Sequence, residues 1–142
     1  MFDVLLVDDN VSDIIVAMRA FRLHGLEHRV KALRDGAEAL DYLTARGPED
    51  GDQPPALPKV VLLDLRMPRV DGRGVLRHMR ADERMREVPI VIVSSSQAAS
   101  DIHDCYRMGA NSFIVKSVDA QRPGEYLVDV AEYWLNLNRV AI

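Results

Sequence analysis

Residues 60–64 read VVLLD, a run of four branched apolar residues that ends on a carboxylate. A short apolar run bounded by polar residues is typical of a strand that is buried on both faces of a parallel sheet. Residues 4–9 (VLLVDD) repeat the pattern, and residues 113–116 (FIVK) end it on a lysine instead. Each run therefore predicts a buried strand with a charged side chain at its C-terminal end.

Helical patterns separate the predicted strands. Strands are predicted at 2–7, 28–33, 59–64, 89–94 and 111–116, and helices at 12–25, 37–43, 75–79, 97–108 and 123–138. Because right-handed crossovers are strongly preferred, these units predict an α/β fold, a flavodoxin-like (βα)5 doubly wound parallel sheet with strand order 2-1-3-4-5. The first and third strands are then neighbours, so Asp8, Asp9 and Asp64 converge at one edge of the sheet.

A proline- and glycine-rich stretch, residues 46–58, breaks both periodicities. It holds four of the seven prolines, and it is longer than an ordinary connection from a helix to a strand. We expect an exposed loop or a contact surface there. The βα units otherwise fill residues 1–142, so we expect a single domain with no output domain.

Composition and charge exclude several classes of protein. The apolar fraction of 48% excludes a disordered chain, and a net charge of -4 without a dense basic run argues against direct binding to nucleic acid or to anionic membranes. No stretch has the length and apolar character of a signal or membrane segment, so we expect a cytoplasmic protein. The single cysteine, Cys105, fits a small core residue better than a reactive thiol.

The three aspartates suggest a chemistry. Carboxylates held close together repel one another unless a cation lies among them. Their oxygens suit Mg²⁺, which also takes phosphate oxygens as ligands. Asp64 is then the candidate nucleophile that would form an aspartyl phosphate, and Lys116 would neutralise charge on the transferred group. The residues therefore predict a site for phosphoryl transfer.

The motifs taken together resemble one family. They are LVDDN at 6–10, LLDLRMP at 62–68, DG at 71–72, GA at 109–110 and FIVK at 113–116, with Ser94 before the last two. In this order and spacing they resemble the receiver domain of two-component response regulators, over essentially the whole chain. The resemblance implies a switch protein that accepts a phosphoryl group on Asp64 from a sensor histidine kinase. It implies no enzyme activity beyond self-phosphotransfer and autodephosphorylation.

The resemblance also implies the metal ligands. Asp9 would bind Mg²⁺ directly and Asp8 through water, and Asp64 and the backbone carbonyl of Arg66 would complete the protein ligands. The cationic side chain of Arg66 could also screen an acyl phosphate on Asp64 from water. We therefore hypothesise that Arg66 slows autodephosphorylation, and equal phosphate lifetimes in the wild type and Arg66→Ala would argue against this.

The switch residues follow from the same resemblance. Ser94 would turn toward the phosphoryl group, and Phe113 would change rotamer with it. The fourth helix, fifth strand and fifth helix would form the output face. Most receivers have a cis proline after the lysine, but here Ser117 follows Lys116. A cis bond before a residue other than proline costs about 2.5 to 4 kcal/mol, so the cis geometry is not assumed here, and the sequence leaves the Lys116–Ser117 bond open.

The proline-rich loop and the aromatic last helix suggest a narrower resemblance. With Tyr126, Tyr133 and Trp134, they resemble the stand-alone receivers that serve bacteriophytochrome histidine kinases. Apolar residues occupy more of helix 123–138 than one core-facing stripe requires. We therefore predict a homodimer through this helix, and a sensor histidine kinase of the bacteriophytochrome kind as partner.

Two other functions remain open from the sequence. A phosphohydrolase of the haloacid-dehalogenase type also forms an aspartyl phosphate, but it needs a second acid two residues after the nucleophile, where this chain has Arg66. A receiver-like scaffold would bind its partners without phosphorylation. Incubation with acetyl phosphate and Mg²⁺ distinguishes these functions from a phosphorylated switch.

Overall fold

Strands and helices alternate along the chain in the computed structural model, which describes residues 2–44, 57–117 and 120–139. The strands are β1 (Val4–Val7), β2 (Val30–Leu33), β3 (Val60–Leu63), β4 (Ile90–Ser94) and β5 (Ser112–Val115). The helices are α1 (Val11–Leu23), α2 (Gly36–Thr44), α3 (Gly72–Ala81), α4 (Ala99–Arg107) and α5 (Glu125–Glu132). A 3₁₀ turn at Glu27–Arg29 makes β2 begin later than predicted, and a π-helical turn at Tyr133–Leu137 extends α5.

The strands form one parallel sheet. Their order is β2-β1-β3-β4-β5, which confirms the predicted fold. Val7 pairs with Leu33 on one side and with Leu63 on the other. The backbone N–H of Asp64 donates to the carbonyl of Val7 at 2.9 Å. The residues that follow β1 and β3 therefore lie side by side at the C-terminal edge of the sheet.

Helices cover both faces of the sheet. On one face α2, α3 and α4 pack against the strands through residues such as Leu43, Leu76 and Cys105. On the other face α1 and α5 pack through residues such as Phe21 and Val128. Because β1 and β3 are buried along their whole length, their sequences are continuous apolar runs. Cys105 is fully buried, as its sequence context predicted.

Side-chain caps fix the first turns of two helices near this edge. The side chain of Asn10 accepts from the backbone N–H of Asp13 at 3.1 Å, so α1 begins directly after the acidic pair. The side chain of Asp71 accepts from the N–H of Gly74 at 3.0 Å and caps α3. Both contacts satisfy backbone donors that a helix leaves free at its start.

The start of α3 lies directly against the end of β3. The N–H of Gly72 donates to the carbonyl of Leu65 at 2.8 Å. A Cβ atom on Gly72 would collide with the carbonyl oxygen of Asp64 and would lie 2.8 Å from the Cα of Leu65. Only glycine allows this approach, which positions α3 beside the backbone of Asp64.

The last helix differs from its prediction. The sequence placed its start at Pro123, but α5 begins at Glu125. Between them Gly124 has a φ of 77°, in the left-handed region, which separates Pro123 from the helix. A Cβ atom on Gly124 would lie 3.0 Å from the carbonyl oxygen of Val16, so α1 packs closely against this turn. The prediction that Pro123 starts the helix was therefore wrong.

Two further expectations concern segments away from the sheet edge. Most of the predicted loop at 46–58 lies outside the described residues. No described helix has both the length and the apolar character that a membrane crossing requires.

Candidate functional site

Three carboxylates meet at the C-terminal edge of the sheet. Ligand oxygens of Asp8, Asp9 and Asp64 all lie within 4.8 Å of one another. Asp8 and Asp64 are buried, at 6% and 7% exposure, and Asp9 is exposed. The prediction that these residues converge is confirmed, because β1 and β3 are neighbours and end in register.

Lys116 lies among these carboxylates. Its Nζ is 3.0 Å from Oδ2 of Asp8 and 3.5 Å from Oδ2 of Asp64. The backbone N–H of Lys116 also donates to the carbonyl of Ser94 at 2.8 Å, so the ends of β4 and β5 are tied together beside the site. No peptide bond in the described residues is cis, so the bond between Lys116 and Ser117, which the sequence left open, is trans.

A fourth carboxylate at the site was not predicted. Oδ2 of Asp13 lies 2.9 Å from Nζ of Lys116, although 103 positions separate the two residues. In the sequence Asp13 looks like an ordinary acidic residue in the first turn of a helix, where it would favour the helix dipole. The only feature of the sequence that links Asp13 to the site is its position three residues after Asn10, close to Asp8 and Asp9.

The charges of the site are not balanced. Burial raises the pKa of the Asp64 carboxyl to about 6, opposed by the Lys116 ammonium and reinforced by the charges of Asp8 and Asp9. Burial would lower the pKa of Lys116, but its hydrogen bonds to Asp13 and Asp8 hold it above the ordinary value. The Lys116 amine is therefore protonated and positively charged at neutral pH. It is one positive charge among four carboxylates, and this excess of negative charge favours a bound cation.

The donor set fits a hard divalent cation. Carboxylate oxygens are the ligands that Mg²⁺ prefers, and three carboxylates close enough to share one ion are present in Asp8, Asp9 and Asp64. The side chain of Arg66, two residues after Asp64, is exposed. A role for its backbone carbonyl as a ligand stays a prediction.

A cavity opens beside the carboxylates. Its volume is about 590 Å³, and its lining includes Asp64, Lys116 and Ser95 next to apolar side chains such as Val16 and Leu127. The cavity therefore extends from Asp64 and Lys116 into the apolar space between the sheet and helices α1 and α5.

The two predicted switch residues lie on the neighbouring strands β4 and β5, where Phe113 pairs with Ile92 and Ser94 pairs with Val115. Ser94 is the last residue of β4 and is 2% exposed. Its Oγ accepts from the backbone N–H of Ser96 at 3.1 Å. Phe113 lies on β5, is half-buried, and packs against the core on the side of α2, α3 and α4. Their roles in switching stay predictions.

Comparison with known proteins identifies the family. Residues 4–126 match the model of the response regulator receiver domain. The chain belongs to the response regulator receiver family. As a family, receiver domains are signalling proteins and generally not enzymes, and they bind Mg²⁺ at an acidic pocket. The cluster of Asp8, Asp9 and Asp64 fits this description.

Individual relatives of this receiver domain match over nearly its full length. It is 40% identical to the probable methanogenesis regulatory protein FilR2 of Methanothrix harundinacea, over 97% of this chain and 86% of that protein. The phosphorylated cyanobacterial phytochrome response regulator RcpA superposes with a TM-score of 0.83 at 31% identity, over 98% of this chain and 97% of the other. The Mn²⁺-bound form of Rcp1, a response regulator of Synechocystis, gives a TM-score of 0.81 at 26% identity, over 98% of both chains.

Proposed function

We propose that this receiver domain accepts a phosphoryl group on Asp64 from a phosphohistidine of a sensor histidine kinase. The observation that carries the proposal is the position of the protonated Lys116 amine: its Nζ lies 3.5 Å from Oδ2 of Asp64, inside the carboxylate cluster. The solved structure of a phosphorylated relative supports it, because that protein shares the fold at 31% identity.

The transfer forms one bond and breaks one. A carboxylate oxygen of Asp64 attacks phosphorus as the P–N bond of the phosphohistidine breaks. The imidazole nitrogen keeps the electron pair of that bond and takes up a proton, and Asp64 becomes an acyl phosphate. A Mg²⁺ ion held by Asp8, Asp9 and Asp64 would supply positive charge to the phosphoryl oxygens. Lys116 orients Asp64 and neutralises charge on the transferred group, so the site acts by positioning and electrostatics.

Residues at the C-terminal ends of β4 and β5 would then bind the phosphoryl group. It adds negative charge and acceptor oxygens, to which Lys116 and the hydroxyl of Ser94 donate. When Ser94 turns toward it, the ring of Phe113 fills the vacated space. The surface of α4, β5 and α5 changes as a result, and phosphorylation shifts a population that the unmodified protein already samples.

Acetyl phosphate with Mg²⁺ is expected to add about 80 Da, one phosphoryl group, to the wild-type protein. Asp64→Asn is expected to show no adduct, because an amide lacks the nucleophilic carboxylate oxygen. Asp41→Asn, which changes an exposed carboxylate on α2, is the matched control and should react like the wild type. Intact-mass spectrometry measures all three proteins.

Other outcomes of this experiment would overturn the proposal. An adduct that survives in Asp64→Asn would place the reaction elsewhere. A wild-type protein that forms no adduct would favour the scaffold, and repeated turnover of a phosphorylated substrate would favour the phosphohydrolase.

We further propose a bacteriophytochrome-type sensor kinase as partner and a homodimer as the working form. The kinase proposal rests on the likeness to a phytochrome response regulator. The dimer proposal rests on the apolar side chains that the end of the last helix leaves exposed, Tyr133 at 47% and Leu137 at 76%. Burial of such surface favours association.

Light scattering at tens of micromolar is expected to give the mass of a dimer for the wild type. Leu137→Glu should shift the protein toward the monomer, because the dimer would bury this charge. Leu23→Glu changes a similarly exposed leucine, at 73%, on the C-terminal end of α1 and should remain dimeric. A monomeric wild type, with and without a phosphoryl mimic, would contradict the dimer.

A further inference from the structure

A continuous series of hydrogen bonds leads from Ser94 to the first turns of two helices. We call it the α3–α4 network, and its members are Ser94, Ser96, Asp101 and Arg73. The N–H of Ser96 donates to Oγ of Ser94 at 3.1 Å, and Oγ of Ser96 donates to Oδ2 of Asp101 at 2.5 Å. The guanidinium of Arg73, on α3, donates to Oδ1 of Asp101, on α4, at 2.7 Å.

Ser96 is fixed at three points. Its N–H donates to Ser94, its hydroxyl donates to Asp101, and the same hydroxyl oxygen accepts from the N–H of Ala98 at 3.2 Å. The loop between β4 and α4 is therefore held in one turn. Ser94, at the end of β4 directly before that turn, is 2% exposed.

The far end of the network is a partly buried ion pair. The side chains of Asp101 and Arg73 are 18% and 30% exposed, so water screens this pair less than it screens a surface pair. Hydrogen bonds from Ser96 and then from Arg73 hold the pKa of Asp101 below its usual value. Asp101 is therefore an anion at neutral pH, and its two carboxylate oxygens accept hydrogen bonds from Ser96 and from Arg73.

We propose that Asp101, Arg73 and Ser96 are positioning residues that hold the Ser94 hydroxyl on its own loop and so oppose the phosphorylated state. This inference rests on the proposed function of Asp64 and Ser94. In the structure the Ser94 oxygen faces the Ser96 amide. A turn of the Ser94 side chain toward a phosphoryl group is a change of rotamer, which carries Oγ away from that amide. The more firmly the network holds Ser96, the less favourable that change becomes.

A purely structural role makes a different prediction. Ser96 and Asp101 also hold the turn that leads into α4, so their loss would lower the stability of the protein. Loss of that support alone would leave the affinity for a phosphoryl mimic unchanged or weaker. Loss of the opposing contact would make that affinity tighter, even in a less stable protein. The sign of the change in affinity therefore distinguishes the two roles.

The test is a calorimetric titration with beryllofluoride, a phosphoryl mimic, at saturating Mg²⁺. Ser96→Ala removes the hydroxyl and keeps the amide, and we expect it to bind beryllofluoride about three- to tenfold more tightly than the wild type. Ser96→Thr keeps the hydroxyl and should bind beryllofluoride with the same affinity as the wild type. Arg73→Met keeps the apolar stem but removes the ion pair, and it should also bind more tightly.

Two controls complete the design. The double variant of Ser96→Ala and Arg73→Met should bind no more tightly than the stronger single variant, because both act through Asp101. Arg22→Met breaks an exposed ion pair with Glu27 near the C-terminal end of α1 and should leave the affinity unchanged.

The outcomes separate this inference from the proposed function. Equal or weaker binding by both Ser96→Ala and Arg73→Met would overturn the role of the network. If Ser96→Ala does not fold, Arg73→Met alone decides the question by the same criterion. A wild type that binds no beryllofluoride, or an Asp64→Asn variant that binds it equally well, would instead overturn the proposed function.

Discussion

Replacement of Lys116 by methionine is expected to slow the phosphorylation of Asp64 by acetyl phosphate about 10²- to 10³-fold. Nζ of Lys116 lies 3.0 Å from Asp8 and 3.5 Å from Asp64, and it is the one cation that the structure places within the carboxylate cluster of the described residues. Methionine fills similar space without charge. The initial rate of adduct formation, followed by intact-mass spectrometry at saturating Mg²⁺, measures the effect.

Lys59→Met is the matched control for this variant. Lys59 is exposed before the start of β3, at the opposite end of the strand from Asp64, so its loss should not change the rate. A Lys116→Met rate within about threefold of the wild type would contradict the electrostatic role of the ammonium.

Asp64→Asn is expected to stabilise the metal-free protein at pH 7.5. The folded-state pKa of Asp64 is about 6, against an ordinary value of 3.8. The unfolded state therefore releases the proton of this carboxyl at a lower pH than the folded state does. At any pH above the folded-state pKa, where the carboxyl is ionised in both states, this difference lowers the free energy of unfolding. The difference of about two pKa units corresponds to about 2 to 3 kcal/mol. In EDTA the variant should therefore unfold about 5 to 10 °C higher than the wild type.

The pH dependence of this gain has a definite sign. Ionisation of Asp64 lowers wild-type stability as the pH rises from about 4 to about 6, so the advantage of the variant should appear across that window and be complete above it. Below pH about 4 the two proteins should unfold at nearly the same temperature. Added Mg²⁺ should stabilise the wild type more than the variant, since it binds the folded carboxylates. A variant that unfolds at a lower temperature at pH 7.5 in EDTA would contradict this account.

Much of the fold could be predicted from the sequence because its strands are buried on both faces. Such strands are continuous apolar runs with sharp ends, and β1 and β3 are of this kind. Their order followed from general rules of chain topology. The convergence of Asp8 and Asp64 then needed only the knowledge that β1 and β3 are neighbours.

Other parts of the site could not be predicted, because they depend on contacts between segments that lie far apart in the chain. Asp13, at the start of α1, approaches Lys116, directly after β5, only when α1 and α5 pack together on one face of the sheet, and no periodicity in the sequence shows this. The contact of Arg73 with Asp101 depends in the same way on the packing of α3 against α4. The start of α5 was misplaced because Pro123 favours the first turn of a helix, whereas the left-handed Gly124 is fixed by its approach to α1.

The most direct test of the central claim is to locate the phosphoryl group. Borohydride reduces an aspartyl phosphate to homoserine, which peptide sequencing by mass spectrometry assigns to a single position. After treatment with acetyl phosphate and Mg²⁺, the account predicts homoserine at position 64 and at no other aspartate. Homoserine at Asp8, Asp9 or Asp13, or a borohydride-resistant phosphate on Ser94, would contradict it.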